Sequence, residues 1–554
     1  MLVVALVSTP TPTVPANATL VLKVEAPWSE VEPSDVLSQL LPRAPTLRSV
    51  IQTIHRAKAD SRIKALIVRP AASGAMWAQL QEVRAALDDF KASGKPILAF
   101  LESGGTGEYY LASVASRIVM MPAGQLDVAG LASYELFFRG ALDKIGVVPD
   151  LLHIGEYKTA ANTFTERGFT AAHREMTRSL NRDWYDELVR SVAKSRQIPE
   201  ARAREALGNG PYLGDGAVKV GLVDELSYED QLDDTAPVQG TQLLSDEQYE
   251  RSAPAGTPRS TGGRIALLYA VGTIASGKSA LDSPTGLVLG SETFVEWVRK
   301  VRIDPSIRAV VVRIDSPGGS AIASEVIWRE LMLTRDVKPL VISMGDVAAS
   351  GGYYMAAPAH IIVAEPGTLT GSIGVVTGKF VVQGALDKLG IGTGAVSEGA
   401  NAEIYSPFRP FSPAERSRVE EQMQATYELF LRRVAEGRQQ TPDKVDAIAQ
   451  GRVWTGHQAR ELGLVDELGG LEDAVRIAQQ RAKLDMAKPV DLVVYPAKRS
   501  LYEILSRQFG SQSGSGLSLL LRRPDLRAVQ SAVSILQLFR RGEPLAILPN
   551  VFVN

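Results

Sequence analysis

Short runs of β-branched and other apolar residues alternate along the chain with segments whose apolar residues recur every three or four positions. In the second half, Ile265–Val271 and Ala309–Asp315 are typical of buried strands, because consecutive apolar residues suit a strand that is covered on both faces. Between them, Phe294, Val298 and Val301 follow helical spacing. This alternation of strands and helices predicts a mainly parallel sheet flanked by helices.

Further along the second half, Pro339–Met344 and Ile361–Ala364 are predicted strands, and a helix is predicted after Pro317-Gly-Gly-Ser320. Ser412-Pro-Ala-Glu415 has the spacing of a capping box, in which the serine and the glutamate satisfy backbone N–H groups at a helix start. It predicts a long helix that begins there and ends near Arg438.

The pattern of the first half returns in the second half at an offset of 244 residues. Gly107-Glu-Tyr-Tyr-Leu-Ala112 resembles Gly351-Gly-Tyr-Tyr-Met-Ala356. Gly221-Leu-Val-Asp-Glu-Leu226 recurs unchanged as Gly463-Leu-Val-Asp-Glu-Leu468, at an offset of 242. The two halves are therefore diverged copies of one domain.

A stretch rich in Pro, Gly and Ser separates the two copies and is typical of a linker. The predicted organisation is a leader remnant over 1–18, a first repeat over 19–251, a linker over 252–263, a second repeat over 264–496 and a C-terminal extension over 497–554.

Composition narrows the function classes. Lys plus Arg number 60 and Asp plus Glu 62, and a net charge of −2 argues against a protein that binds nucleic acid through bulk electrostatics. The chain has no Cys, which excludes disulfides, thiolate metal sites and a cysteine nucleophile. The apolar run at Met1–Val7 is far shorter than the roughly 20 residues of a spanning helix. We expect either a soluble chain or the remnant of a truncated leader.

Gly272-Thr-Ile-Ala-Ser-Gly-Lys-Ser279 matches the phosphate-binding loop pattern and follows a predicted strand. Such a loop needs a helix that begins at its Lys-Ser pair, so that the helix N-terminus faces the phosphate. Here Ala280-Leu-Asp-Ser-Pro-Thr-Gly286 follows, and it is rich in helix breakers. We interpret the segment as a turn.

Two other turns carry candidate chemistry. In Asp315-Ser-Pro-Gly-Gly-Ser320, the glycines allow backbone N–H groups to approach an oxyanion or a phosphate, although a plain tight turn is the alternative. In Ala348-Ala-Ser-Gly-Gly-Tyr-Tyr354, Ser350 lies where a helix is expected to start, with the N–H of Gly351 beside it. That arrangement suits an exposed nucleophile, and a helix-capping serine is the alternative.

A serine nucleophile needs a base. None of the five histidines lies in a recognisable catalytic setting, and we interpret His360 as structural. A lysine with a lowered pKa is the other option. At the repeat offset Lys158 aligns with Ala402, and Ser350 aligns with Thr106. Because each copy lacks what the other keeps, we expect one composite site that combines Lys158 with Ser350.

These features together resemble one known family. The repeat, the Pro317-Gly-Gly319 turn, Ser350-Gly-Gly-Tyr-Tyr354 and Gly155-Glu-Tyr-Lys158 are similar to signal peptide peptidase A, also called protease IV, in its long two-repeat bacterial form. The resemblance covers residues 19 to about 500. It implies an α/β fold, a tandem repeat of two spiral α/β domains of the type found in crotonases and caseinolytic proteases.

The resemblance also implies roles for individual residues. Ser350 matches the family's nucleophile, Lys158 its general base, and Ser372 a serine that orients the lysine. Backbone N–H groups of Gly318 or Gly319 and of Gly351 match its oxyanion hole. No metal or organic cofactor is implied.

The implied function is a serine endopeptidase that degrades cleaved signal peptides and other apolar, unfolded peptides through an acyl-enzyme. The family implies a bowl-like homotetramer associated with the inner membrane and facing the periplasm, and no nucleic-acid partner. Long members carry an N-terminal transmembrane helix, and from the short apolar run at the start of the given sequence we expect no such helix within it. The alternatives are a crotonase-like acyl-CoA enzyme and a catalytically inactive peptide-binding scaffold.

Overall fold

The structure is a computed structural model that describes residues 12–31, 45–252, 262–283, 286–497, 544–547 and 552–553. Most of the predicted leader remnant, linker and C-terminal extension therefore lie outside the described residues. Its strands, in chain order, are β1 (Ala18–Glu25), β2 (Ile63–Ala71), β3 (Ile97–Leu101), β4 (Gly104–Gly105), β5 (Arg117–Met120), β6 (Gln125–Asp127), β7 (Ser133–Tyr134), β8 (Val148–Ile154), β9 (Tyr212–Leu213), β10 (Glu225–Leu226), β11 (Gln242–Ser245), β12 (Arg264–Val271), β13 (Thr273–Ala275), β14 (Ala280–Ser283), β15 (Gly286–Gly290), β16 (Ile307–Ser316), β17 (Gly318–Ser320), β18 (Leu340–Ala349), β19 (Ile361–Ala364), β20 (Leu369–Gly371), β21 (Val375–Val381), β22 (Val453–Thr455), β23 (Glu467–Leu468), β24 (Asp491–Tyr495), β25 (Leu545–Ile547) and β26 (Phe552–Val553).

The α-helices are α1 (Leu47–Ala59), α2 (Trp77–Ala92), α3 (Thr106–Ala112), α4 (Arg139–Ile145), α5 (Asn162–Thr165), α6 (Ala171–Arg196), α7 (Glu200–Gly208), α8 (Gly214–Lys219), α9 (Asp246–Ser252), α10 (Ser291–Ile303), α11 (Ala321–Arg335), α12 (Gly351–Ala356), α13 (Gln383–Lys388), α14 (Pro413–Arg438), α15 (Pro442–Ile448), α16 (Gly456–Glu461) and α17 (Leu471–Arg481). Short 3-10 helices occupy Thr159–Ala161 and Glu229–Asp234.

The predicted elements of the second half are confirmed, and β18 continues beyond its predicted end as far as Ala349. Helix α14 begins at the predicted capping box. The N–H of Glu415 donates to Ser412 Oγ at 3.3 Å, and the N–H of Ser412 donates to Glu415 Oε2 at 2.8 Å. The segment 272–279 forms β13 and a loop, and no helix begins at Lys278, so the turn interpretation is also confirmed.

The chain folds into two units. The N-unit comprises the described residues of 1–30, 44–130 and 185–259, and the C-unit comprises those of 31–43, 131–184 and 260–554. Residues 131–184 belong to the predicted first repeat and pack in the C-unit. The repeat boundaries themselves stay a prediction, since a sequence repeat and a packing unit need not end at the same residue.

Each unit contains a sheet with the same strand order. The N-unit has a parallel six-stranded sheet in the order β10-β5-β3-β2-β1-β11. The main C-unit sheet contains the parallel series β23-β19-β18-β16-β12-β24, and its β20 and β22 extend from β18. This correspondence is what two diverged copies of one domain require. The fold is therefore mixed α/β, with parallel sheets in two repeats.

Strand β16 illustrates why these sequences form central strands. Val310, Val312 and Ile314 face one hydrophobic cluster, and Ala309 and Val311 face another. Both faces are covered, which explains a continuous apolar run in place of strict alternation. The carboxyl ends of β16 and β18 therefore emerge from a packed core, and they are followed by the two turns singled out in the sequence.

A second C-unit sheet runs in the order β14-β15-β13-β17-β25-β21-β8. Strands β8 and β21 pair antiparallel along their full lengths, from Val148 opposite Val381 to Ile154 opposite Val375. This register brings the residues just after β8 alongside those just before β21. Among the residues that the structure describes, we find no helix with both the length and the apolarity needed to cross a bilayer.

Candidate active site

Ser350 lies at the turn between β18 and α12, with φ 57° and ψ −113°. Its N–H donates to the carbonyl of Gly371 at 2.7 Å, and its own carbonyl accepts from the N–H of Tyr354 at 2.8 Å. Holding a residue with a side chain in such a conformation costs about 1–3 kcal/mol. The turn has the strained strand-to-helix form of a nucleophile elbow.

The Ser350 side chain makes no capping hydrogen bond to the helix. The alternative of a helix-capping serine is therefore wrong. Its Oγ instead lies 2.7 Å from the Nζ of Lys158. Since both side chains are completely buried, this contact is formed away from solvent.

Lys158 Nζ has two more partners, both on Ser372. It donates to the Ser372 carbonyl at 2.8 Å and lies 3.0 Å from Ser372 Oγ. A neutral amine has two N–H groups and one lone pair. Such an amine can donate to both oxygens of Ser372 and accept the hydroxyl proton of Ser350 with its lone pair.

Burial lowers the pKa of Lys158 well below its ordinary value. The physical cause is loss of hydration, which penalises the charged ammonium more than the neutral amine. The same environment that hides Lys158 from water therefore favours the protonation state that can take up a proton from a hydroxyl.

Two close backbone approaches hold the Lys158 segment in place. The N–H of Tyr157 donates to the carbonyl of Gln450 at 2.8 Å, and the N–H of Gly451 donates to the carbonyl of Ile373 at 2.8 Å. A Cβ built on Gly451 would lie 2.5 Å from Lys158 Cα, so only glycine fits there. The Gln450-Gly451 turn thus links the lysine segment to the segment of Ser372.

Sequence reasoning missed Gly451. A Gln-Gly pair is too common to be a signal, and the closeness of residue 451 to Lys158 is purely tertiary. Ser372 itself was predicted and lies in a similarly constrained turn between β20 and β21. Its φ is 50°, and its N–H donates to the carbonyl of Arg452 at 2.7 Å.

The three predicted oxyanion-hole glycines lie together. A Cβ built on Gly351 would be 3.2 Å from both the Cα of Gly318 and the N of Gly319. Gly318 has φ +97°, so a side chain there would also be strained. Its N–H already donates to Ser316 Oγ at 3.2 Å. This bond makes the N–H groups of Gly319 and Gly351 the candidate pair of donors for the predicted oxyanion hole.

The histidine that was interpreted as structural and the repeat counterparts of Lys158 and Ser350 lie outside this site. His360 Nδ1 accepts the N–H of Leu340 at 3.1 Å, so it binds the backbone of the sheet, and its structural interpretation is confirmed. Ala402, the counterpart of Lys158, is exposed in a loop. Thr106, the counterpart of Ser350, is the first residue of α3 in the N-unit.

The sequence profile of peptidase family S49 matches two stretches of the chain, residues 89–239 and 333–485. The chloroplastic serine protease SPPA of Arabidopsis thaliana is 34% identical over 487 residues, which cover 85% of this chain and 71% of that protein.

Two bacterial relatives match over a similar extent. Protease 4 of Salmonella typhi is 34% identical over 456 residues, 79% of this chain and 72% of the relative. Protease 4 of Haemophilus influenzae is 33% identical over 474 residues, 80% of this chain and 75% of the relative. In each case the similarity extends across both halves of the chain, as the repeat requires.

Proposed function

The chain belongs to peptidase family S49, and from that membership we propose that it cleaves peptides with Ser350 as nucleophile and Lys158 as general base. The observation that carries this proposal is the 2.7 Å contact between Lys158 Nζ and Ser350 Oγ, both fully buried. A lysine in that position can act only when it is neutral, and burial supplies that condition.

In the proposed reaction, neutral Lys158 takes the proton of the Ser350 hydroxyl while Ser350 Oγ attacks the peptide carbonyl carbon. The tetrahedral oxyanion accepts hydrogen bonds from the N–H groups of Gly319 and Gly351. Losing one such donor typically costs about 10²–10³ in rate. Protonated Lys158 then gives its proton to the leaving amine, which departs and leaves an acyl-enzyme.

Hydrolysis repeats the same steps with water. Lys158 takes a proton from the water, whose oxygen attacks the ester carbonyl of the acyl-enzyme, and returns the proton to Ser350 as the ester breaks. Ser372 is the positioning residue. By accepting both N–H groups of the amine, it leaves the lone pair directed at Ser350.

The substrates proposed are apolar, unfolded peptides, with cleaved signal peptides among them. Support comes from an apolar cluster close to the lysine, which includes Ala160, Ala161, Phe164 and Val376. The central segment of a signal peptide is apolar and would suit such a surface. Backbone pairing would supply the rest of the recognition, as it does where an extended peptide adds a strand to a sheet.

The finer architecture and the setting belong to the same proposal. Each repeat would be a spiral α/β domain of the crotonase and caseinolytic-protease type, with the repeat boundaries predicted from the sequence. The chain would assemble as a homotetramer associated with the inner membrane and facing the periplasm. These points follow from the family resemblance, and the repeated strand order is consistent with the first of them.

The test replaces the base and measures turnover of apolar fluorogenic peptides. Lys158→Met keeps most of the side-chain volume and removes the amine, so kcat should fall by at least about 10³ in a folded protein. Lys379→Met is the matched control, because Lys379 is also buried but its Nζ donates to the carbonyl of Ile404 at 2.8 Å. That variant should keep the parent's kcat.

Three results would overturn the proposal. Turnover that survives Lys158→Met would remove Lys158 from the base role. A parent that binds apolar peptides and never cleaves them would favour the inactive scaffold, and turnover of acyl-CoA thioesters in its place would favour the crotonase-like alternative.

A further inference from the structure

A short piece of the C-terminal extension lies beside the candidate active site as strand β25. It pairs antiparallel with β17, with Ala546 opposite Gly319 and Leu545 opposite Ser320. On its other edge, Leu545 lies opposite Val376 of β21. The N–H of Ala321 also donates to the carbonyl of Pro544 at 3.3 Å. This segment therefore fills the gap between the glycine turn and the strand that follows Ser372.

The carbonyl of Ala546 lies at the corner of the proposed oxyanion hole. A Cβ built on Gly318 would lie 2.0 Å from the oxygen of Ala546 and 2.7 Å from the N of Gly351. The oxygen and the donor nitrogen thus approach the same point from two sides. A substrate's reacting carbonyl would have to take up this position, because the proposed donors are the N–H groups of Gly319 and Gly351.

The side chains of the segment are buried on opposite faces, as in an extended peptide bound in a groove. Leu545 is 2% exposed and packs with Ala160, Phe164 and Val376, the apolar cluster near Lys158. Ala546 is 1% exposed and packs in the main core of the C-unit. The site of Ala546 therefore admits a small side chain, whereas the site of Leu545 admits a large apolar one.

We propose that residues 544–547 occupy the groove that receives the substrate, so that the chain's own strand β25 competes with peptides for the active site. This inference rests on the proposed function of the same site. It also assigns a substrate register: a small residue supplies the reacting carbonyl, and a large apolar residue precedes it.

The magnitude of the competition follows from tethering. A ligand that is part of the same chain can have an effective concentration on the order of 1 mM. If the free segment bound with a Kd of about 0.1 mM, tethering would raise the KM of a competing peptide about tenfold. Substrate must displace strand β25. The strand therefore lowers kcat/KM at low substrate concentration and leaves kcat unchanged.

The first experiment measures steady-state kinetics of the full-length chain and of Leu545→Glu, which places a charge in the apolar site. We expect the KM for apolar peptides to fall about tenfold at unchanged kcat. Val396→Glu is the matched control, because Val396 is fully exposed in the same unit. Ala546→Arg changes the other face of the strand and is the second variant, in case Leu545→Glu does not fold.

The second experiment needs no turnover. A fluorescent peptide of the sequence Pro-Leu-Ala-Ile-Leu-Pro is titrated into full-length Ser350→Ala and into the Ser350→Ala, Leu545→Glu double variant. We expect at least about fivefold tighter binding by the double variant, whose groove is open. Equal binding by both, together with an unchanged KM in the first experiment, would overturn the proposal.

The two proposals fail separately. If the parent and Leu545→Glu cleave peptides with the same KM, the proposed function stands and competition by strand β25 is refuted. If neither cleaves peptides and the double variant still binds the peptide more tightly, the strand occupies the groove and the peptidase proposal fails.

Discussion

The two copies of the domain share the same internal hydrogen bonds and differ at the turn where the chemistry is proposed. In the N-unit, the hydroxyl of Tyr109 donates to the carbonyl of Leu222 at 2.9 Å. In the C-unit, the hydroxyl of Tyr353 donates to the carbonyl of Leu464 at 2.8 Å. The same bond recurs in both copies, and it fixes the helix after the turn to the rest of each unit.

A second hydrogen bond also recurs in both copies. Asp224 accepts the N–H of Ile118 at 2.7 Å, and Asp466 accepts the N–H of Ile362 at 2.8 Å. Neither bond involves Lys158, Ser350 or Ser372, so both belong to the framework that the two copies share.

The turn before the helix differs between the copies. Gly105 precedes α3 with φ −91°, and its N–H donates to Glu108 Oε2 at 2.9 Å. Glu108 stands at the position of Gly352, and Thr106 stands at the position of Ser350. The N-unit therefore starts its helix with an ordinary cap, whereas the C-unit starts it at a residue with positive φ. The strained conformation is found in the copy that carries the proposed nucleophile.

The largest expected difference between the copies is in turnover. Ser350→Ala should lower kcat by at least about 10³, because the proposed nucleophile is lost, whereas Thr106→Ala should leave kcat within about twofold of the parent. Kinetics with apolar fluorogenic peptides measure both. Equal losses in the two variants would show that the N-unit turn still takes part in the reaction.

The next effect is on pH dependence. Because burial lowers the pKa of Lys158, kcat/KM should increase about tenfold per pH unit below that pKa and level off well below pH 10. The unfolded chain binds the proton more strongly, so the contribution of Lys158 to the free energy of unfolding also increases with pH up to about 10.4. Lys158→Met should remove both slopes. A rate limb that rises only near pH 10 would contradict the neutral amine.

The smallest expected effect is on stability, and its sign differs between the copies. Ser350→Gly should have a free energy of unfolding about 1 kcal/mol higher than Ser350→Ala, since both lose the hydroxyl that contacts Lys158 and only glycine accepts the positive φ without strain. Thr106→Gly should have a free energy of unfolding about 0.5–1 kcal/mol lower than Thr106→Ala, since glycine weakens a helix that needs no such conformation. Chemical denaturation of the four variants measures both differences, and a Ser350→Gly variant less stable than Ser350→Ala would refute the strain at Ser350.

The sequence predicted much of the fold because its signals are local. Strands β12, β16 and β19 were predicted from apolar runs, and the capping box of α14 spans only four residues. The repeat added the long-range information that a single copy lacks. It pointed to Lys158 and Ser350 together, although 192 residues separate them along the chain.

Other parts of the site depend on packing that no local pattern encodes. The approach of Gly451 to Lys158 arises from the C-unit's tertiary fold. So does the packing of residues 131–184 with the second repeat, which the pairing of β8 with β21 produces. The structure brings Lys158, Ser350 and Ser372 together, and the variants above test the proposed roles of Lys158 and Ser350.

The placement of residues 131–184 in the C-unit also has an evolutionary consequence. With Lys158 and Ser350 as the proposed dyad, an early duplicate could lose the lysine from one copy and the serine from the other without harm, because a single site drew on both. Neither copy then holds a complete dyad, and deletion of either copy would abolish the proposed reaction. Complementary losses of this kind make the duplication irreversible, because neither copy can then be removed.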